Sequence, residues 1–338
     1  MSGWRYARGY VIGTLSLMAV LLIGCGPNTN QMFGLGGRLI NIVEAPATFQ
    51  LSGSATAKAT CPSSQQLLGG GFWLSGEATD PNATTGVVAV AQDYASSIDT
   101  WTVQASAPPD ATRLQDVVVS AIAYCYAPSS PPLRMKIVSA RISTTSSAQF
   151  TTTASGTATC PVGGVLTGGG YQVTSADSIE DGFNSYITSN TPVKFPMTDG
   201  WTVSLQYPNA LSRAPVVKAY ALCAGANLQR GSIYTTQAGS ALATPATSVS
   251  VSCPADFYST GGGYIYSQTS PGAAIFPYNF LSSYATSAMG WKVQDLGASS
   301  QRPIVVRTHM GGWQASYYTG VGWQGQTSAY CLRFPTTP

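Results

Sequence analysis

Few residues in this chain are equipped for chemistry. Its 338 residues include one histidine, His309, and 13 carboxylates against 16 basic side chains, so only 9% are charged. Hydrolytic or redox catalysis needs clustered titratable groups. The stretch "RTHMGG" around His309 has no nucleophile-elbow signature to partner it and reads as a strand end or loop. The densest acidic stretch, "ADSIEDGFN", brings together Asp177, Glu180, Asp181 and Asn184. Calcium takes several oxygen ligands, but the spacing is not that of an EF-hand loop, and a solvated turn explains these residues as well. Asp177, Glu180 and Asp181 are therefore a weak calcium candidate. No other metal, no cofactor and no catalytic residue is expected.

Aromatic side chains form a second concentration. The segment "MGGWQASYYTGVGWQGQ" holds Trp313, Tyr317, Tyr318 and Trp323 among glycines, with Gln314 and Gln324 beside the two tryptophans. Rings of this kind stack on the C–H face of a sugar while amides bond its hydroxyls, and rigid aromatics lose little entropy on binding. Two "GWQ" triplets around "YYTG" read as a hairpin. The alternative is that the hairpin folds back to cover a neighbouring part of the protein.

The elements that must position these groups are written three times. "TCPSSQQLLGGGF", "TCPVGGVLTGGGY" and "SCPADFYSTGGGY" keep a Cys-Pro pair, three glycines and an aromatic at one spacing, and their cysteines recur at intervals of 99 and 93 residues. That period suits small domains better than solenoid turns. After each motif come a tryptophan, read as Trp101, Trp201 and Trp291, and a second cysteine. In "WTVSLQY" the residues alternate with period two, as in a half-buried antiparallel strand, and no segment has helical spacing with a capping signal. The fold class predicted is all-β, with three tandem disulfide-braced antiparallel β-sandwich-like modules.

The glycine triplet admits two readings. A phosphate-cradling loop needs a following helix N-terminus, whereas here an aromatic strand follows. A core corner fits better: glycines permit positive φ, a bulge, or close approach of a backbone or an indole. Setting Cys25 aside leaves six cysteines, one pair in each repeat, so Cys61 with Cys125, Cys160 with Cys223 and Cys253 with Cys331 are the expected bonds. Closing a loop of this length contributes about 4 kcal/mol by chain entropy.

The N-terminus specifies an address. Arg5 and Arg8 precede the apolar run "YVIGTLSLMAVLLIG", which is short for a membrane span, and polar "GPNTNQ" follows Cys25 at once. The residues "LIGC", Leu22 to Cys25, resemble the lipobox of bacterial lipoproteins. The resemblance implies cleavage before Cys25 and a diacylglycerol on its thiol. Without Arg5 and Arg8 the mature chain carries 14 basic and 13 acidic residues, which leaves no electrostatic footprint for nucleic acid. The combination of Cys-Pro, triple glycine, Trp-x-Val and Ala-x-Cys resembles repeats of secreted bacterial proteins of uncharacterised function, and that resemblance supplies no activity.

Punctuation sets the boundaries. Residues 1–25 are the signal peptide with its lipidated cysteine, and 26–37 a tether. Modules occupy 38–127, 132–224 and 228–334, with the proline-rich "PSSPP" between the first two. The expected function is that of a lipid-anchored protein of the bacterial cell surface or outer envelope, binding an extracellular ligand such as a glycan through its third module. A structural envelope component is the alternative, and a secreted hydrolase the third reading. Its partners would be the membrane, through the lipid, and a polysaccharide or surface protein.

Overall fold

The computed structural model describes residues 40–49, 53–75, 89–106, 117–127, 132–142, 151–174, 186–208, 215–225, 228–237, 247–254, 257–268, 280–286, 312–317 and 323–334. The described residues form eighteen strands and no helix. The first six are β1 (Ile40–Thr48), β2 (Ser54–Thr60), β3 (Gln66–Ser75), β4 (Ala89–Ala95), β5 (Thr100–Ser106) and β6 (Val118–Tyr126). A second set comprises β7 (Lys136–Ile142), β8 (Thr151–Thr159), β9 (Val165–Thr174), β10 (Tyr186–Lys194), β11 (Asp199–Pro208) and β12 (Val216–Ala224). The third comprises β13 (Ser232–Gln237), β14 (Thr247–Ser252), β15 (Tyr258–Gln268), β16 (Phe280–Thr286), β17 (Gly312–Tyr317) and β18 (Trp323–Leu332).

Each set splits into two trios that pair in the same way: first, sixth and third strands together, then second, fifth and fourth. Every trio is completed by one from a neighbouring set. The three sheets run β1-β6-β3-β16-β17-β14, β2-β5-β4-β9-β12-β7 and β13-β18-β15-β10-β11-β8. Each set is thus a small sandwich at one corner of a three-sided body, and each side of that body is a sheet shared by two sets. The chain is all-β and disulfide-braced as its sequence predicts, but the repeats are not self-contained.

Side-chain patterning explains the sharing. In β2 the small residues Ala55, Ala57 and Ala59 are buried while Thr56, Lys58 and Thr60 are exposed, the alternation of an outer strand. β6 breaks that rule, being buried on both faces. Its Ala121, Ala123 and Cys125 pack with Trp101 and Val103 of their own set. On the other face, Ile122 and Tyr124 pack with Val251, Cys253, Ala329 and Cys331 of the third set. Leu222 of β12 likewise enters the core of the first set, and Tyr330 of β18 enters that of the second. Tyr124, Leu222 and Tyr330 each stand just before the second cysteine of their set, so each core is completed by a residue from the next.

The glycine triplets lie inside β3, β9 and β15, within continuous strands instead of at corners. Register shifts at Leu67/Gly69 and Ser259/Gly261, and opposite Thr167 at Leu222/Cys223, mark the bulge before each triplet. Every glycine of the triplet has its own neighbour. First glycines meet one another: a Cβ on Gly168 would stand 2.8 Å from the Cα of Gly69, and one on Gly261 2.8 Å from the Cα of Gly168. Second glycines face indoles, since a Cβ on Gly70 or Gly169 would overlap Trp101 or Trp201. At the third position a Cβ on Gly170 or Gly263 would overlap the carbonyl oxygen of Asp93 or Asn190, where one set pairs with the next. Positive φ plays no part in the described triplets; among the described glycines it is found at Gly53 and Gly163.

The three disulfides join Cys61 to Cys125, Cys160 to Cys223 and Cys253 to Cys331, each linking the two trios of one set, with Cα separations of 5.5, 5.8 and 5.7 Å. A polar latch ties the second set to the third. Buried Asp199 takes an ion pair from Arg230 and a 2.6 Å hydrogen bond from the Tyr330 hydroxyl. That hydroxyl in turn accepts the Gly231 N–H at 3.0 Å.

Two expectations for the third repeat are corrected. Trp101 pairs with Ala59 and Trp201 with Ala158; the residue at this register in the third set is Trp313, opposite Val251. The tryptophan read as its equivalent, Trp291, falls in the 287–311 connection, outside the described residues. Taking Trp291 as the equivalent puts 40 residues between it and Cys331, against 24 and 22 in the other repeats, and so implies an insert after the tryptophan; the extra length instead precedes Trp313, where the other sets use only 96–99 and 195–198. The segment 310–326 is not a hairpin either: β17 pairs with β14 and β16, whereas β18 pairs with β13 and β15 in a different sheet. The two "GWQ" triplets begin strands with different partners.

Candidate functional site

Antiparallel register gives the body two unlike ends. Ile40 pairs with Tyr126 and Gln66 with Tyr126, so β1 and β3 begin, and β6 finishes, at the end tied by Cys61 and Cys125. Pairing of β4 with β9, β10 with β15 and β16 with β3 orients all three sets alike. At this cysteine end the turns within each set are short apart from the 287–311 connection, which lies outside the described residues. Gln65 and Gly164 close Cys-Pro turns by donating to the carbonyls of Pro62 and Pro161 at 2.8 Å each, and the Cys61 and Cys160 amides bond the Asp99 and Asp199 carbonyls at 2.8 and 2.9 Å.

The opposite end, the loop end, gathers nine connections, three from each set. The longer ones are 76–88 and 107–116 in the first set, 175–185 in the second and 269–279 in the third. They lie outside the described residues. The sequences of the nine connections hold seven acidic residues, including Glu77, Asp80 and Asp110, against Arg113 and Arg213. A braced sheet scaffold with connections gathered at one end is the arrangement on which proteins mount binding residues.

The sequence-predicted site residues divide between the two ends. Tyr317 ends β17 and Trp323 begins β18, so both stand at the loop end with Gln324, while Tyr318 is in the connection between them, outside the described residues. Trp313 and Gln314 begin β17 from the cysteine end, paired with Val251 and Ser250. The acidic candidates Asp177, Glu180 and Asp181 fall in the 175–185 connection at the loop end, again outside the described residues, as are Asn184, His309 and Cys25. Among the described residues no group of three or more His, Cys, Asp or Glu side chains could hold a metal ion, and no helix is long and apolar enough to cross a membrane.

One polar constellation went unread in the sequence. Where sets meet, the Trp101 indole N–H donates to the Asp93 carboxyl at 2.7 Å, and Trp201 donates to the Asn190 side-chain carbonyl at 2.5 Å. Tyr171 donates across the junction to the carbonyl of half-buried Val90 at 3.0 Å, and Tyr264 lies nearby; Asp93, Trp101, Asn190, Trp201, Tyr171 and Tyr264 are all buried. Burial raises the Asp93 carboxyl from its ordinary 3.8 to about 8, with the indole hydrogen bond opposing. Burial also raises the Tyr171 hydroxyl well above its usual range, helped by Tyr264 and Asp93. Because Asn190 performs the same task uncharged, Asp93 serves as a neutral acid that fixes an indole. The signal available was an Asp eight residues before Trp101 and an Asn eleven before Trp201, too weak to single out unaided.

The sign of the pH effect follows. With a folded value above the unfolded one, Asp93 holds its proton in the native state between about pH 4 and pH 8, so its share of stability is complete below pH 4 and is lost as pH rises to about 8. Asp93→Asn keeps the acceptor for Trp101 and removes the proton. Thermal melts from pH 4 to 8 should show wild type losing up to several kcal/mol across that window, while the variant stays flat and is the more stable protein at neutral pH. Parallel curves for the two would refute the neutral-acid role. No protein-family model matches the chain, and no curated protein is similar to it.

Proposed function

We propose that the chain is a lipid-anchored protein of the bacterial cell surface that presents its loop end to an extracellular ligand, a glycan being the class its aromatic side chains suit. The carrying observation is the inequality of the ends: at one, short disulfide-tied turns in every set with 287–311 the single long connection, and at the other, nine connections, three from every set. Three disulfides accord with an oxidising, extracytoplasmic compartment. The ligand set reduces to Tyr317, Tyr318, Trp323 and Gln324, because Trp313 occupies the register of the core tryptophans and Gln314 follows it. A polysaccharide screen on residues 26–338 tests the reading. Tyr317→Ala and Trp323→Ala should each weaken binding about tenfold, the loss of one stacked ring at 1 to 1.5 kcal/mol, without moving the melting temperature. Unchanged binding in both variants would exclude the glycan reading. Intact mass of the membrane-extracted protein tests the anchor separately: acyl groups on Cys25 support it, and a Cys25 thiol without lipid removes it.

A further inference from the structure

Every large apolar side chain that is exposed among the described residues stands at the cysteine end: Ile98, Val162, Phe195, Met197 and Tyr258. Val162 and Met197, exposed by 78% and 73%, sit in the turns joining β8 to β9 and β10 to β11. Ile98 is in the turn before β5, and Tyr258 opens β15 with its ring edge-on to Phe334 at 5.6 Å. These residues come from three different turns and a strand start in all three sets, so one set's packing does not explain them.

Cations share this end. Arg134, Lys136, Lys194, Arg230 and Arg333 are exposed at the same end, with Asp99 the exposed acid among the described residues there. Arg230 is balanced by buried Asp199, which leaves four positive charges against one. The connections of the opposite end carry the acidic excess, so the two ends of the strands differ in charge. The chain also enters here: β1 begins at Ile40 beside Tyr126, fifteen residues after Cys25.

From these observations we infer that the cysteine end is a membrane-docking face, its occupant the phospholipid surface itself. Exposed apolar side chains, a tyrosine among them, sharing one end with Lys and Arg suit the bilayer interface, where apolar groups enter the acyl boundary and cations meet anionic headgroups. The inference rests on the lipid-anchor reading for its biological setting. It adds an orientation, with the loop end held outward.

The face can be tested without the lipid. The unlipidated mature chain, residues 26–338, should sediment with phosphatidylcholine vesicles containing phosphatidylglycerol and bind phosphatidylcholine alone much more weakly, with added salt reducing the difference. Val162→Asp with Met197→Asp, and separately Lys136→Glu with Arg333→Glu, should each lower partitioning at least tenfold at unchanged melting temperature. Equal binding to both vesicle types, or full binding by the variants, would overturn the inference. So would a lowered melting temperature in the Asp variant, which would mean that the 287–311 connection covers the face, or a wild-type dimer dissociated by it, which would mean a second copy does. A Cys25 found unlipidated in cells would remove the anchor and leave the vesicle result standing.

Discussion

Gly168→Ala should destabilise all three repeats at once. A Cβ there would lie 2.8 Å from both the Gly69 Cα and the Leu68 carbonyl oxygen, and 3.5 Å from the Thr260 carbonyl oxygen. Backbone of the first set would thus have to move for one methyl group in the second, with the third set's Thr260 already in van der Waals contact on the same side. Overpacking a core costs about 1–3 kcal/mol when side chains yield, and here the nearest atoms belong to backbones fixed in sheets. A loss of about 3 kcal/mol or more is expected, with melting lowered in one transition. Gly163→Ala is the control, because that residue has open space around its Cβ and only its φ of 79° to strain. It should cost about 1 kcal/mol. Similar losses in the two variants would mean that the three triplets do not meet.

A single repeat, such as 132–225, should fail to fold even with its disulfide formed. Its core would lose Leu68 and Tyr126 from the first set, and Tyr264, Tyr330, Leu332 and Phe334 from the third. At about 1.5–3 kcal/mol for each large apolar side chain buried, the loss is on the order of 10 kcal/mol, comparable with the entire stability of an ordinary domain. The disulfide contributes about 4 kcal/mol at most. Open pairing edges on β9 and β10 would remain as well, inviting aggregation. Circular dichroism and size-exclusion chromatography of the oxidised fragment should show a disordered or associating chain, and a monomeric fragment with a cooperative melt would contradict this.

What the sequence reveals of this fold is its local part. Cysteine spacing within each repeat suffices for the three disulfides, since each links segments that the chain returns to within one repeat. Alternation in "WTVSLQY" gives a strand with Trp201, Val203 and Leu205 inward, and all three are buried. Alternation says which side chains are covered, though not by which part of the chain. The run "VVVSAIAYC" held the relevant hint, for Ile122 and Tyr124 on the face opposite Ala121 and Ala123 are large apolar residues that only a second core could bury. The glycines were recognisable as points of close approach, but their partners come from other repeats and no spacing names them. Trp313 was misassigned for a different reason. Counting from Cys253 favours Trp291, and only the pairing of "GWQASY" with "TSVSVS" places Trp313 at the repeat's tryptophan register.

That Asp93 occupies the position of Asn190 shows how far the repeats have diverged without losing their geometry. Both accept an indole N–H at a junction between sets, one as a buried acid and one as an amide. The ends have diverged more than the interior, as expected if the interior is constrained by mutual packing and the ends by contact with something else.

Native-state hydrogen exchange is the most direct test of one body built from three interlocked repeats. Amides at the centres of β6, β12 and β18, such as Ala123, Ala221 and Ala329, belong to different repeats, and each strand is buried in a sheet completed by a neighbouring set. If the sets open together, all three amides should exchange through the same global unfolding, with equal free energies that fall by equal amounts with denaturant and with Gly168→Ala. Three distinct opening free energies, or a Gly168→Ala effect confined to β12, would contradict the shared core.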